Sequence, residues 1–255
     1  MQPHHSSPWS PAAAISEQTP GVFFVEGPAS NWIIARDGRD FTVIDGGYPG
    51  DIGHVLASIS HLGLDPAHAA AMVITHGHID HTGSAGHFSD EYGTPVLSSS
   101  AERPQLLGEV KYQVAPLQII IRAWRPRVLK WMIHAIQAGG TATNNIAEAE
   151  AWDAARLAAL PGGLVAVPTP GHTPGHAAYR LPEAGAVATG DAFVTGHAIS
   201  AHCGPQMLHP MYHHDVAGAY ASLNTLAAVP ENRVLPGHGP AMDLDLATAV
   251  QSLAP

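Results

Sequence analysis

The stretch from Thr75 to Gly83, THGHIDHTG, places three histidines and an aspartate within six positions. His76 and His78 are two positions apart, so on an extended segment their imidazoles project to the same side and can bind one metal ion. Asp80 and His81 then face another direction, which favours a second metal ion beside the first. The stretch therefore predicts a metal site with imidazole and carboxylate ligands.

Three later strand-like runs also end in glycine-rich turns that carry a histidine or an aspartate. These turns are PTPGHTPGH with His172, TGD with Asp191, and PGHGP with His238. Side chains at the carboxyl ends of strands converge on one crevice in α/β sheets, and glycine permits the tight turns that aim them inward. We therefore expect these three residues to join the histidine cluster, on the strength of their positions rather than of the 18 histidines in the chain.

Cys203 is the only cysteine, so a disulfide framework and a thiolate metal cage are both excluded. Imidazole and carboxylate ligands suit Zn²⁺ and also accept iron or manganese. The N-terminal residues lack the basic and apolar regions of a signal peptide. We therefore expect a cytoplasmic protein.

The chain carries 11 Lys and Arg against 21 Asp and Glu, a formal charge of −10. Such a field repels polyanions, so we expect no nucleic-acid partner. The apolar segment from Pro116 to Ala138 is broken by Pro126 and carries four basic residues, which predicts two helices meeting at a kink rather than a membrane span. We expect no membrane partner.

Strand-like and helix-like runs alternate along the chain in two similar halves, which favours a layered α/β domain. Residues 1–20 are rich in proline and serine and predict a flexible leader. Residues 21–255 predict a single domain with a helical insertion near 100–160.

The order HxHxDH, then the histidine of PGHTPGH, the aspartate of TGD and the histidine of PGHGP, resembles the metallo-β-lactamase superfamily. The resemblance extends from about residue 20 to about residue 240. It implies an αββα sandwich of two mixed β-sheets flanked by helices, with a dinuclear metal site. The implied ligands are His76, His78 and His172 for the first metal, Asp80, His81 and His238 for the second, and Asp191 as a bridge.

The resemblance also implies supporting residues. Asp45, in VIDGG, would orient the HxHxDH loop through hydrogen bonds, and we expect His176 to support the site by hydrogen bonding rather than to bind metal. For the substrate pocket we predict four residues: Trp124 and Trp131 in the insertion, and Tyr212 and His213 after the TGD turn.

The function implied is hydrolysis by a hydroxide shared between two divalent ions, which attacks the carbonyl of a small ester, lactone or thioester. Asp80 is the expected catalytic residue, because it can hold the hydroxide and pass a proton to the leaving group. The partner is then a small molecule with an acyl carbonyl. The oligomeric state stays open, with a homodimer as one option.

Several alternatives remain within the same superfamily. Hydrolysis of β-lactams is disfavoured by Asp191 and by the missing signal peptide, and hydrolysis of glutathione thioesters by the 17 non-basic residues after His238. A nuclease is disfavoured by the acidic charge balance. A mononuclear iron persulfide dioxygenase and a non-catalytic metal-binding protein are the other two alternatives.

Overall fold

The structure, a computed structural model, describes residues 9–253. The first sheet has seven strands that lie side by side in chain order; β1 to β4 are antiparallel neighbours, and β4 to β7 are parallel neighbours. These strands are β1 (Ile15–Thr19), β2 (Val22–Val25), β3 (Trp32–Asp37), β4 (Asp40–Ile44), β5 (Ala69–Val73), β6 (Val96–Ser98) and β7 (Glu150–Ala151).

The second sheet has five strands in the order β12-β11-β10-β9-β8, with a single parallel pair between β10 and β11. Its strands are β8 (Val165–Pro168), β9 (Ala177–Leu181), β10 (Ala186–Gly190), β11 (Arg233–Pro236) and β12 (Met242–Asp243).

Ten α-helices connect or cover the strands in the described residues. They are α1 (Pro11–Ala14), α2 (Ile52–His61), α3 (Ile79–Thr82), α4 (Ala85–Tyr92), α5 (Arg103–Leu106), α6 (Pro116–Ile120), α7 (Pro126–Gln137), α8 (Ala154–Ala159), α9 (Val216–Ala227) and α10 (Leu246–Leu253). Between residues 9 and 253, every helix is too short or too polar to cross a bilayer.

The alternation of side chains along the strands determines the layers. In β2, Val22 and Phe24 pack against residues of the second sheet, whereas Phe23 and Val25 pack against helix α2 on the other face. The outer face of the second sheet is covered by α9 and α10, through residues such as Leu226. The order of layers is helix, sheet, sheet, helix, so the predicted αββα sandwich is confirmed.

The N-terminal segment differs from the expectation. Residues 1–8 of the predicted leader lie outside the described residues, but Ile15–Thr19 forms strand β1, which pairs antiparallel with β2. The turn between the two strands uses Gly21 at φ 83°, a left-handed conformation that glycine adopts readily. The sequence did not predict β1, because it has polar residues at an exposed sheet edge.

The helical insertion begins after β6 and contains α5 to α8. Pro126 is the first residue of α7, where its missing N–H costs no helical hydrogen bond, so the predicted pair of helices around this proline is observed. The run AEAEAWDAARLAAL, with a helical pattern in the sequence, is helical only over Ala154–Ala159, because Glu150–Ala151 pairs with β6 instead.

Candidate metal centre

All the predicted ligands follow the carboxyl end of a strand. His76, His78, Asp80 and His81 follow β5, while His172, Asp191 and His238 follow β8, β10 and β11. Strands β10 and β11 are parallel neighbours, so their ends lie at the same edge of the second sheet. The sandwich therefore brings together the ligand-bearing loops of both sheets.

Three imidazoles form the first group. The ring nitrogen Nε2 of His76 lies 3.1 Å from Nδ1 of His78 and 3.2 Å from Nε2 of His172. His172 Nε2 and His78 Nδ1 are 2.9 Å apart. Three nitrogens from two distant loops therefore point at a common centre.

The hydrogen bonds of the outer ring nitrogens indicate the tautomers of His76 and His78. Thr75 donates its hydroxyl hydrogen to Asp45, so its oxygen accepts from Nδ1–H of His76 at 3.0 Å. His78 likewise donates from Nε2 to the backbone carbonyl of Tyr112. The inner nitrogens of both rings consequently carry lone pairs that face each other, and lone pairs at this distance repel unless a cation lies between them. The group fits a metal ion.

Asp80, His81 and His238 form a second group. Nε2 of His238 lies 3.5 Å from Oδ2 of Asp80, and Nε2 of His81 lies 3.9 Å from the same oxygen. His238 donates from Nδ1 to the carbonyl of Ala29 at 2.8 Å, so its Nε2 is the nitrogen that faces the carboxylates of the site. Nε2 of His81 is buried and has no hydrogen-bond partner among the described residues, as expected for a nitrogen aimed at a metal.

Asp191 lies between the two groups. Its Oδ2 is 3.4 Å from Nε2 of His172 in the first group and 3.4 Å from Nε2 of His238 in the second. Its Oδ1 is 3.6 Å from Nε2 of His81 and makes no hydrogen bond within residues 9–253. One carboxylate therefore reaches both groups, which is the position that a bridging ligand requires.

The electrostatics of the two groups differ. Burial lowers the pKa of His76 and of His172 well below the usual value, so both imidazoles are neutral and can act as ligands. Burial alone would also lower the pKa of His81, but the surrounding carboxylates, Asp191 foremost, raise it to about 10. A cation that binds the second group must therefore displace a proton.

Asp45 lies directly behind the histidine loop. Its Oδ1 accepts from the backbone N–H of Thr75 at 2.8 Å, and its Oδ2 accepts from Nδ1–H of His81 at 2.9 Å. The residue has φ 60°, a left-handed conformation that aspartate tolerates better than most residues. These contacts join Asp45 to two residues of the histidine loop, and its supporting role stays a prediction.

His176 and Gly237 fix the position of Asp191. His176 accepts from the backbone N–H of Asp191 through Nε2 at 3.0 Å, and its Nδ1 faces the hydroxyl of Thr169 at 2.8 Å, so both ring nitrogens are used. This agrees with the expected supporting role. A Cβ atom on Gly237 would lie 2.4 Å from Oδ1 of Asp191, which is why the PGHGP turn needs glycine there.

A cavity of about 650 Å³ opens beside the two groups. Trp131 and Tyr212 line it, with ring centroids 5.8 Å apart. Trp124, by contrast, is 76% exposed and is not among the residues that line the cavity. His213 is also misplaced: it lies behind His172, with the two Nδ1 atoms 3.3 Å apart, and does not line the cavity.

Sequence reasoning missed several residues that line the cavity, among them His197 and Lys111. His197 lies between His238 and Tyr212, with ring centroids at 5.0 and 5.4 Å, and burial lowers its pKa to about 3. Lys111 also lines the cavity. His197 follows Asp191 in the same loop, and this position is the signal that could have identified it.

Glu102 was also missed, although its carboxylate connects the two loops of the first group. It is 1% exposed. Its Oε1 accepts from the backbone N–H of Gly77 at 2.6 Å, and its Oε2 accepts from the hydroxyl of Thr173 and the N–H of Gly175 at 2.8 and 2.9 Å. Gly77 lies between His76 and His78, and Thr173 follows His172. Glu102 therefore fixes these loops relative to each other.

The variant Glu102→Gln tests this positioning role. An amide keeps the shape but replaces one acceptor oxygen with a donor, so it cannot satisfy all three donors. We expect the metal affinity to fall roughly 10- to 100-fold, the usual effect of losing a residue that orients ligands. Competition with a chelator measures the affinity.

The control for this prediction is Glu109→Gln, at an exposed position in the same insertion. It should keep the wild-type affinity. Thermal unfolding of both variants without metal separates positioning from folding: an unchanged metal affinity in folded Glu102→Gln would contradict the role.

A model of the metallo-β-lactamase superfamily matches residues 25–238. The chain belongs to this superfamily. Its αββα layers match the fold of solved structures of metallo-β-lactamase family proteins.

Individual relatives are distant. Uncharacterized protein YobT from Bacillus subtilis (strain 168) is 26% identical to this chain, over 64% of this chain and 61% of YobT. Probable metallo-hydrolase YflN from the same organism is 25% identical, over 88% of this chain and 82% of YflN. The chain thus spans less than two thirds of YobT. Among solved structures, TTHA1623 in a di-iron-bound form superposes with a TM-score of 0.60 at 26% identity, over 88% of this chain and 94% of that one.

Proposed function

We propose that this protein is a hydrolase with two divalent metal ions, which cleaves the acyl C–O or C–S bond of a small ester, lactone or thioester with an apolar acyl part. The observation that carries the proposal is Asp191, whose Oδ2 lies 3.4 Å from a nitrogen of each histidine group at the base of the cavity. The name of YflN, a probable metallo-hydrolase, supports the reaction class.

One ion would be held by His76, His78 and His172, and the other by Asp80, His81 and His238. Asp191 would contact both ions, because its Oδ2 lies 3.4 Å from a nitrogen of each group. When bound, divalent ions supply Lewis acidity and a hydroxide nucleophile near neutral pH. We propose zinc, which accepts this thiolate-free donor set, with iron or manganese as the alternatives. The di-iron form of TTHA1623 supports iron as the first alternative to test.

Asp80 is the proposed catalytic residue. It lines the cavity, and its side chain is 18% exposed, whereas Asp191 is 3% exposed. An oxygen that faces both the second histidine group and the substrate space can hold a proton and pass it to the leaving group.

Tyr212 is the proposed donor to the substrate. Its hydroxyl is buried at the cavity wall and has no hydrogen-bond partner in the described part of the chain. Burial raises its pKa, with a further contribution from Asp80, so the phenol keeps its proton at neutral pH. It can therefore donate to the oxyanion that develops on the carbonyl.

The walls of the cavity indicate the substrate class. Ile119, Trp131 and Met132 provide apolar surface on the side of the insertion, while Lys111 and Gln113 provide the polar positions. A cavity of about 650 Å³ has room for a medium-length acyl chain. The complete second group of ligands disfavours the mononuclear persulfide dioxygenase, because such an enzyme needs only one metal site.

The test is a set of p-nitrophenyl esters, aliphatic lactones, thioesters and a β-lactam, assayed with protein loaded with zinc, iron or manganese. We expect turnover of acyl esters or lactones that ends when a chelator is added and returns with metal. Oxygen uptake with glutathione persulfide by the iron form, without ester hydrolysis, would overturn the proposal in favour of the dioxygenase.

Trp131→Ala tests the acyl-binding wall. Removing the indole deletes apolar contact with a long chain, so KM for an octanoyl ester should rise roughly 10-fold, and KM for an acetyl ester by less than about 2-fold. Trp124→Ala is the matched control, because Trp124 is exposed and does not line the cavity. Equal effects of Trp131→Ala on both esters would contradict an acyl-binding role.

A further inference from the structure

The insertion carries most of the exposed apolar surface of the protein. In the described part of the chain, ten large apolar side chains are exposed, and eight of them lie between Val110 and Ile136. We call the following seven the cap surface: Leu117, Ile120, Ile121, Trp124, Leu129, Ile133 and Ile136. Exposed apolar residues concentrated in one segment indicate an interaction surface rather than scattered surface residues.

Helix α7 is apolar on two sides. Trp131, Met132 and Ala135 line the cavity, which accounts for one side. Leu129, Ile133 and Ile136 are spaced by four and three residues, so they form a second stripe, and each is more than 40% exposed. The first stripe is explained by the substrate cavity. In the second stripe, Ile136 also reaches the cavity wall, but Leu129 and Ile133 serve neither the cavity nor the core.

The charge of this segment is opposite to that of the whole protein. Residues 110–147 contain five of the 11 basic residues and no aspartate or glutamate, although the chain has a net charge of −10. Arg125, Arg127 and Lys130 are exposed, and the guanidinium of Arg125 lies 5.2 Å from the ring centre of Trp124. Exposed tryptophan and isoleucine interleaved with basic side chains are typical of helices that lie in the interface of a bilayer.

We propose that the cap surface docks on an anionic phospholipid bilayer, with its apolar side chains among the acyl chains and its basic side chains at the headgroups. A second copy of the chain is a poorer occupant, because a two-fold contact would bring two segments of the same positive charge together. On sequence alone, no membrane partner is expected, because the apolar segment does not fit a membrane span. A helix that lies on the bilayer surface does not need a spanning segment.

Docking in this orientation also affects the substrate. Ile120 and Ile136 belong to the cap surface and line the cavity, so the cavity opens next to the bilayer. This part of the inference rests on the proposed function: amphiphilic acyl substrates that partition into the bilayer would reach the metal centre directly. The docking itself does not depend on catalysis.

The experiment is co-sedimentation of the whole protein with vesicles of phosphatidylglycerol and phosphatidylcholine, compared with vesicles of phosphatidylcholine alone. We expect at least roughly 10-fold stronger binding to the anionic vesicles, weakening as salt increases. Metal-stripped protein should bind equally well, so failure of the proposed hydrolase would leave this result unaffected. Absence of binding to anionic vesicles would overturn the proposal.

Two variants assign the binding to the cap surface. Trp124→Ala, and the double variant Arg125→Glu with Lys130→Glu, should each weaken binding to anionic vesicles roughly 10-fold or more. The matched controls are Val216→Ser and Arg39→Glu, at an exposed apolar and an exposed basic position outside the insertion. Wild-type binding by Trp124→Ala, or a dimer that this substitution dissociates, would instead overturn the docking and assign the surface to another contact.

Discussion

Replacing His172 with alanine is expected to remove bound metal and hydrolytic activity together. His172 contributes one of three nitrogens that lie 2.9 to 3.2 Å apart, and its loop is held in place by Glu102 through Thr173. Loss of this ligand leaves two histidines for the first ion, and catalysis that depends on the ion should fall by roughly three orders of magnitude. Metal analysis and ester hydrolysis on the same sample measure both effects.

The control for this variant is His61→Ala, at the exposed end of α2. It should retain both metal and activity, which shows that losing any histidine from this histidine-rich chain is not sufficient. Near-normal hydrolysis by metal-depleted His172→Ala would remove the proposed mechanism.

Asp191→Asn should separate the two metal sites. An asparagine keeps the size of the side chain but removes the negative charge that lies among His172, His238 and His81. We expect the metal content to fall from about two ions toward one, and the activity to fall roughly 100-fold or more, because the proposed mechanism relies on a second ion to stabilise the leaving group. Metal analysis and the same ester assay measure the two effects.

Circular dichroism should show that the Asp191→Asn variant keeps its fold, since its side chain makes ligand contacts rather than core contacts. Asp90→Asn, at an exposed position, is the matched control. Full metal content in folded Asp191→Asn would show that Asp191 does not bridge.

The ligand loops could be predicted from sequence because each one joins a strand-like run to a glycine-rich turn. That local pattern also determines where the side chain lies, since the carboxyl ends of the strands meet at one edge of each sheet. His76 and His78 are close in the chain, and His238 could be added from its PGHGP turn alone. The positions of these residues in the structure follow from chain direction and side-chain alternation.

Glu102 could not be predicted in this way, because its function depends on backbone groups of two loops that are remote in the chain. A glutamate before a short helix is usually an ordinary surface residue. Only the folded structure shows that Glu102 is buried and that its carboxylate accepts three hydrogen bonds. The same reason applies to β1, since its polar residues become a strand only through pairing with β2.

The two tryptophans of the insertion illustrate a different limit. Trp124 and Trp131 both belong to an apolar segment with a helical pattern, and the sequence does not indicate which of the two faces the cavity. The structure separates them: Trp131 contacts Tyr212, while Trp124 stacks with Arg125 at the surface. Packing of the insertion against the sandwich, rather than local propensity, makes this difference.

The central claim is that side chains from four loops surround two adjacent metal ions. Anomalous diffraction from crystals of metal-loaded protein tests it most directly, because the signal locates the ions independently of activity. We predict two peaks about 3.5 to 4 Å apart, one beside His76, His78 and His172, the other beside Asp80, His81 and His238, with Asp191 between them. Peaks at other residues, or no peak at these histidines in fully loaded protein, would contradict the account.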